Sequence, residues 1–497
     1  MNTRIRRVLV ANRGEIAVRV IRACRDLGIY SIAVFSDVDR ELPHVRLADE
    51  AYCLGDPAPR QSYLNIERIV DVARTAKADA IHPGYGFLAE NPRFAQAVCS
   101  AGFIFVGPPT EAISLMGDKA EARRLAARCG VPILRGIEIS DNSDDSVTSN
   151  IDDRDFPLLV KAVAGGGGKG MRLVCRREDL ASAVRAARSE ALNSFGDSRV
   201  YVERYLEEAR HIEVQVLADQ YGHTVHLGER ECSIQRRHQK IVEESPSVAI
   251  DDQLRAQLGT AAVMLTRECG YCNAGTVEFL LDKNKRFYFL EMNTRVQVEH
   301  PVTEMVTGVD IVQQQLRIAA GEHLDVAQEA VRIRGHAVEC RIYAEDPLNN
   351  FFPSLGRLRY LRTPVAFHTR VDIGFDEGNT VPVQYDPIIA KVLCHGRTRT
   401  EALDRMVSAL CRFHVVGVAT NLSLCRWIME HERFRRGDFH TRFLDTAFDP
   451  QTSLSPPQKL QTIAAIVAAA CSLRESPRAL TTDGVVSAET WRRRVFD

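Results

Sequence analysis

"GTVEFLLDKNKRFYFLEMNTRVQVEH", residues 275–300, decides how this chain is read. Two runs suited to strands, GTVEFLL and RFYFLEMN, flank the polar stretch DKNK, which is the pattern of an antiparallel hairpin. A two-residue turn at Asn284–Lys285 pairs 283 with 286, and counting outward sets Glu278 opposite Glu291. Side chains opposed in this way stand roughly 5 Å apart at Cβ. Two carboxylates at that spacing repel unless a cation lies between them. Mg²⁺ takes one or two carboxylates together with phosphate oxygens, so it fits. Asn293 falls on the same face, and if the chain stays extended Arg295, Gln297 and Glu299 follow it there. The pattern predicts a working polar face rather than a core.

Upstream, KAVAGGGGKGMR (161–172) lies between the strand patterns PLLVKAV and MRLVC. That placement reads as a tight, hairpin-like loop whose backbone N–H groups face an anion, not as a linker. Gly165, Gly166, Gly167 and Gly168 allow close approach there, and Lys161 and Lys169 suit phosphate. The run is not a Walker A loop, because Met171 follows Gly170. GDKAEARRLAARCG reads as a helix with Asp118 as cap and Glu121 as its capping-box partner. Lys119 then lies in the first turn, where the helix dipole disfavours a cation unless an anion is bound. ECSIQRRHQK (231–240) concentrates Arg236, Arg237, His238 and Lys240. A formal net charge of −1 and the lack of interleaved aromatics weigh against a nucleic-acid patch and favour an anion pocket. Arg341 in VECRIYAED and Asp386 in QYDPI complete the charged candidates.

The chain around these motifs has 497 residues, 45% hydrophobic and 26% charged, which is globular composition. Strand and helix patterns alternate over the first hundred residues: RRVLVA, a helix NRGEIAVRVIRACRDLG capped by Asn12, YSIAVFSD, then ADAIH and GFIFVG with helices between. Such alternation predicts a parallel sheet with ligands beyond its strand ends, at NRGE (12–15) and HPGYGFLAE (82–90). No G-x-G-x-x-G is present, so a dinucleotide site has no support. Thirteen scattered cysteines without paired zinc spacings suit a reduced compartment. No apolar run reaches the ~18 residues of a membrane span, and no secretory leader pattern opens the chain. The expectation is a cytoplasmic protein.

Taken in order, ANRGEIA, HPGYGFLAEN, LMGDKAEAR, KAVAGGGGKGMR, ERYLEEARHIEVQVLAD, ERECSIQRRHQKIVEE and FLEMNTRVQVEHPVTEMVTGVD resemble the biotin carboxylases, a branch of the ATP-grasp superfamily, from about Arg6 to about Leu444. The resemblance implies an α/β (α+β) ATP-grasp fold with three domains. These are an N-terminal parallel α/β domain (1–115), a central domain with a mobile glycine-loop lid (116–206) and a C-terminal mixed α/β domain with an antiparallel sheet (207–447), followed by a linker and helical tail (448–497). It implies that MgATP and bicarbonate form carboxyphosphate, whose CO₂ passes to biotin. Position by position, Lys119, Lys161 and His238 resemble the phosphate ligands, and Glu203, Arg204, Tyr205 and Leu206 the adenine hinge. His211 and Gln235 complete the nucleotide site. Glu278, Glu291 and Asn293 resemble the ligands of Mg²⁺ (or Mn²⁺). Lys240, Arg295, Gln297 and the Val298 backbone resemble the bicarbonate site. Glu299 resembles the base, and Arg341, with Tyr85 and Asp386 nearby, the group that stabilises enolate-like biotin.

Departures from the bacterial pattern are Ala164 at the first of five glycine positions and Lys169 in place of arginine, which brings AVAGGGGKGM closer to acyl-CoA carboxylase α-subunits. None of the eight methionines neighbours a lysine, so no biotin-acceptor motif is present. Biotin is expected on a separate biotin carboxyl carrier protein, with carboxyltransferase subunits as further partners, a homodimer as the assembly, and fatty acid biosynthesis as a setting. The competing reading is a non-catalytic or truncated α-subunit paralogue acting as a scaffold.

Overall fold

A computed structural model describes residues 5–139, 151–163 and 171–454, with residue 466 beyond them. The glycines Gly165–Gly168, Lys169 and most of the tail lie outside the described residues. Residues 1–448 form one compact unit and residues 449–497 a second. In the second, Pro450–Ser453 is a short helix with Asp449 accepting from the Gln451 N–H, inside the stretch expected as linker.

The N-terminal part is a five-stranded parallel sheet in the order Glu50–Gly55, Tyr30–Ser36, Arg7–Val10, Ala80–His82, Ile104–Phe105. The strand order reverses at Arg7–Val10, beside Ala80–His82. The two loops singled out in the sequence therefore leave adjacent strand ends, where open α/β sheets bind ligands. Asn12 ties them together, donating to the carbonyls of Pro83 (2.8 Å) and Tyr85 (2.7 Å). That contact replaces the capping role expected of Asn12: the helix is Gly14–Asp26, Arg13 stands at its N-cap, and no side chain caps it. Gly84 must be glycine here, since a Cβ would come 2.8 Å from Asn12 Nδ2 and φ is +64°.

A four-stranded sheet follows in the order Gly136–Ile139, Val200–Arg204, Leu158–Ala162, Arg172–Val174, covered by the helix Arg177–Phe195. Leu158–Ala162 and Arg172–Val174 pair antiparallel, with Val160 opposite Arg172, so the glycine segment does join two hydrogen-bonded strands.

The largest element is an eight-stranded antiparallel sheet. Its order is Phe287–Asn293, Asn273–Leu281, Arg210–Ala218, Thr224–Arg236, Gln239–Ser245, His336–Tyr343, Ile388–Gly396, Thr369–Ile373. Its strands alternate in facing, with bulges in four of its ladders. Ile212, Val214 and Val216 point into a core with the helix Asp252–Glu268. Val338, Cys340 and Ile342 point into another with the helices Arg399–Cys411 and Leu422–Glu430. Between them Glu213, Gln215, Glu339 and Arg341 are polar or charged and equally buried, so this stretch of the second face holds ions and hydrogen-bonding groups, while Leu217, Ala337 and Leu393 keep apolar contacts at its margins.

The opening hairpin is formed, but not by the expected turn. Asp282 pairs with Arg286 across a three-residue loop, its N–H reaching the Arg286 carbonyl at 2.9 Å, and Lys285 takes φ +60°. The Asp282 carboxylate accepts from the N–H groups of Asn284 and Arg286, which fixes this loop. A bulge between Glu278 and Phe279 then shifts the register back by one. The two departures cancel, and Glu278 lies opposite Glu291.

Candidate active site

Three register pairs lay one row of charge across four strands: Glu291 opposite Glu278, Glu278 opposite Glu213, and Glu213 opposite Arg230. A second row runs Arg341, Lys391, Asp372. Buried like charges in rows need counter-ions, and each carboxylate here has one.

Lys240 is the hub. Its ammonium contacts Glu213, lies 3.1 Å from Glu278 Oε1 and 2.8 Å from Glu299 Oε1. Burial disfavours its charge, yet Glu213, Glu278 and Glu299 outweigh that and hold its pKa well above the usual lysine value. Below it, wholly buried Arg230 donates to Gln215 Oε1 (2.8 Å), Thr276 Oγ1 (3.0 Å), Thr303 Oγ1 (3.1 Å) and Glu213 Oε2 (3.2 Å). His211 Nε2 lies 3.1 Å from Glu213 Oε1 and 3.0 Å from Glu278 Oε2. Burial pulls its pKa down, but Glu278 and Glu213 raise it to about 9.

Beyond Asn293 the strand ends, so the extended run expected through Glu299 does not form; Glu299 is instead the N-cap residue of the helix His300–Thr307. The side chains still converge, through turns. Asn293 Nδ2 and Gln297 Nε2 donate to Glu278 Oε1 at 2.7 and 3.0 Å. Arg295 donates to Asn293 Oδ1 (2.9 Å), Gln297 Oε1 (3.0 Å) and Glu90 Oε2 (2.8 Å), the last from the 82–90 loop of the parallel sheet.

Wholly buried Glu299 lies between Lys240 and Arg341, whose guanidinium reaches Glu299 Oε2 at 3.0 Å and Glu243 Oε1 at 2.6 Å. Burial and Glu213 raise the Glu299 pKa, but Lys240, Arg341 and Arg230 overcome them and set it below the usual value, so Glu299 is a carboxylate at neutral pH. Tyr85 donates to Glu15 and feels the charges of both Asp386 and Arg341. Asp386, its pKa raised by burial, accepts from the Ile388 N–H at 3.0 Å. The Val298 carbonyl accepts from Lys391 at 2.8 Å.

The nucleotide candidates line a neighbouring edge. Lys119, first residue of the helix Lys119–Arg128, lies 3.7 Å from Glu291 Oε2. Lys161 donates to Glu203 Oε1 at 2.6 Å, and Arg123 holds the other Glu203 oxygen at 2.9 Å. Arg204 is exposed, while Tyr205 and Leu206 are half-buried where the chain leaves the four-stranded sheet. Gln235 donates to the Cys232 carbonyl at 2.8 Å and pairs with Lys240. The basic cluster divides. Lys240 faces the site and exposed His238 stands near enough to feel both Asp445 and His211, whereas Arg236 pairs with Glu345 (2.8 Å) and Arg237 with Asn350 (3.2 Å). Arg237 and His238 form the turn between their strands at φ +49° and +68°, a strained geometry for non-glycine residues.

His211, Glu213 and Glu278 bring ligand atoms within 4.8 Å of one another, as do Glu213, Cys232 and Glu299, but Lys240 contacts the carboxylates of both groups. Glu278, Glu291 and the Asn293 amide oxygen form an all-oxygen set, which suits Mg²⁺ or Mn²⁺ better than the sets with histidine or cysteine, although Lys240, Lys119 and Arg295 contact it as well.

Models of three domains cover the chain in sequence: biotin carboxylase N-terminal domain over residues 4–113, the ATP-binding domain of the carbamoyl-phosphate synthase L chain over 118–327, and biotin carboxylase C-terminal domain over 339–446. Biotin carboxylase 1 of Bacillus subtilis is 50% identical over 444 residues, 89% of this chain and 98% of that one. The chain belongs to the biotin carboxylase family. It is an enzyme, an ATP-grasp ligase. Among solved structures, the biotin carboxylase domain dimer of Hydrogenobacter thermophilus 2-oxoglutarate carboxylase, in complex with MgADP, ADP and bicarbonate, matches at 45% identity with a TM-score of 0.88, covering 91% of this chain and 99% of that chain. The Campylobacter jejuni biotin carboxylase–β,γ-ATP complex matches at 40% identity and TM-score 0.87, covering 89% and 99%.

Sequence reasoning alone did not single out Arg230, Glu213, Glu243, Glu90 or Lys391. The signal was present in HIEVQVLAD, where His211, Glu213 and Gln215 alternate with aliphatic residues. Period-two polarity on a strand buried on both faces marks an ionic face rather than a solvated one. Among the described residues no helix is long and apolar enough to cross a membrane, and the described cysteines are free thiols.

Proposed function

We propose that this chain carboxylates biotin at the expense of ATP, with bicarbonate as carbon source. The observation that carries the proposal is Glu299: a buried, ionised carboxylate fixed between Lys240 and Arg341, beside Arg295 and Gln297. Bicarbonate is a weak nucleophile, and a carboxylate that takes its proton lets its oxygen attack the γ-phosphorus. We assign its binding to Lys240, Arg295, Gln297 and the Val298 N–H, in keeping with the bicarbonate bound by the Hydrogenobacter relative.

Lys119, Lys161, His238, His211 and Gln235, with the segment Glu203–Leu206 and the loop Gly165–Gly168, are assigned to the nucleotide. Glu278, Glu291 and Asn293 are assigned to a divalent ion, which when bound neutralises charge on the transferring phosphoryl group. Displacement of ADP gives carboxyphosphate, which breaks down to CO₂ and phosphate. Biotin then gives up its N1′ proton to the phosphate so released, and that nitrogen attacks CO₂. The ureido oxygen gains negative charge in this step, and Arg341, held rigid by Glu243, stabilises it. Tyr85 and Asp386 flank the same position. We assign biotin to a separate carrier protein, with carboxyltransferase subunits receiving the product, a homodimer as the assembly, and a cytoplasmic setting in keeping with the free thiols. Every residue assigned to the reaction is present in the chain, so nothing favours a scaffold.

The test is bicarbonate-dependent phosphate release from MgATP by the purified chain, with and without free biotin. Release that rises with biotin and is lost in Glu299→Gln is expected. Nucleotide binding without release would overturn the assignment.

A further inference from the structure

Two successive carbonyls of the loop carrying Gln297 and Glu299 are held from beneath by residues outside the reacting set. His300, wholly buried, begins the helix His300–Thr307. Its Nδ1 lies 2.7 Å from the Gln297 carbonyl oxygen, and its backbone N–H reaches the same oxygen at 3.4 Å. A carbonyl only accepts, so Nδ1 carries the hydrogen. Lys391, wholly buried on the strand Ile388–Gly396, donates to the Val298 carbonyl at 2.8 Å. Its ammonium lies 3.1 Å from Glu15 Oε2 and 3.9 Å from Asp372 Oδ2.

The cis peptide bonds of the described residues precede Pro157 and Pro246, so the 297–298 peptide is trans. In a trans peptide the N–H points opposite to the carbonyl before it. Holding the Gln297 carbonyl toward His300 therefore turns the N–H of half-buried Val298 to the other side. Holding the Val298 carbonyl fixes the next plane, from which Glu299 departs. With both carbonyls held, the backbone dihedrals at Val298 are restrained from either side.

We propose that His300 and Lys391 are positioning residues for bicarbonate. They hold the 297–298 and 298–299 peptide planes so that the Val298 N–H and the Glu299 carboxylate keep their aim at the anion, without touching it. The inference rests on the reading of this loop as the bicarbonate site. Around His300 stand Lys391, Arg19 and Arg370, with Glu304 Oε2 4.0 Å from its Nε2. Burial and these cations keep the ring neutral. Glu15, which anchors Lys391, also accepts from Tyr85, so the clamp reaches back to the loops of the parallel sheet.

Steady-state kinetics of biotin-dependent ATP cleavage test this on the full chain. An Asn amide nitrogen falls near the position of Nδ1, and a Gln amide nitrogen near that of Nε2. His300→Gln is expected to raise KM for bicarbonate by about tenfold or more, the order of loss that small misplacements of bound reactants cause. KM for ATP should stay within about twofold, and His300→Asn should recover most of the loss. Lys391→Met should act in the same direction, with circular dichroism confirming its fold. Unchanged bicarbonate dependence in a folded variant would overturn the inference. So would equal losses in His300→Gln and His300→Asn, or KM values for ATP and bicarbonate rising together. Gln297→Ala and Glu299→Gln, run alongside, separate the two levels. If they too leave bicarbonate dependence untouched, the site reading falls and the inference with it. If they alter it while the His300 and Lys391 variants do not, the positioning role alone falls.

Discussion

Lys240 shows how much of this site is a balance of single charges. Three buried carboxylates converge on one ammonium, with Arg230 and His211 also on Glu213, His211 on Glu278 and Arg341 on Glu299. Removing one partner of a buried ion pair costs about 3–5 kcal/mol, because the charge left behind is uncompensated. Lys240→Met is therefore expected to lose activity and to lower unfolding stability by about that amount. Denaturant titration beside the phosphate-release assay measures both. A variant that is inactive but fully stable would mean that Arg230, His211 and Arg341 suffice to compensate the carboxylates. At this scale the sequence was legible where a motif concentrates charge, as at Lys240, Arg295 and Glu299. It was silent where the charge stands alone on a strand. Arg230 reads as one arginine among many until the register sets it opposite Glu213.

The hairpin 273–293 shows what pattern can and cannot specify in an element. Alternation fixed which residues share a face, but the loop was set by the Asp282 side chain capturing the Asn284 and Arg286 N–H groups, a local competition that hydrophobic pattern does not report. The bulge that restored the register has no sequence mark either. Charge also joins elements that pattern leaves separate. Glu244, on Gln239–Ser245, accepts from His336 at 2.7 Å and from Arg399 Nε at 2.6 Å, tying two strands to the helix Arg399–Cys411. Burial raises the Glu244 pKa, but Arg399 and His336 prevail and bring it from 4.5 to about 2. A depressed folded-state pKa stabilises the fold above the unfolded value, and that contribution fades as pH falls through the folded value. The contribution is thus full above about 4.5 and is lost toward about 2. The stability difference between the parent chain and Glu244→Gln should shrink by on the order of 3 kcal/mol between pH 6 and pH 2. A difference constant with pH would show that Glu244 titrates normally.

Across residues 1–448, side chains far apart in sequence hold the sheets together. Arg19 of the first helix reaches Glu304 at 2.8 Å and Asp310 at 2.6 Å, while Glu15 meets Lys391. No local pattern announces such pairs, because neither partner's neighbours depend on the other. The nucleotide candidates are divided in the same way. Lys161 and Glu203 belong to the four-stranded sheet, Glu278 and Glu291 to the eight-stranded sheet, and Lys119 to the helix between. A nucleotide that touches all of them should stabilise the molecule as a whole, and should do so through the metal, since Glu278 and Glu291 repel phosphate without one. A non-hydrolysable ATP analogue with Mg²⁺ at about 100 times its Kd is expected to add about 2.7 kcal/mol to unfolding stability, read as a rise in Tm. EDTA should remove most of that rise. Glu291→Gln should lose the metal-dependent part while keeping whatever the analogue gives in EDTA, because Lys119 and Lys161 are still present. A rise indifferent to EDTA would refute the assignment of Glu278, Glu291 and Asn293 to a divalent ion, and would leave the binding to Lys119, Lys161 and the other residues assigned to the nucleotide.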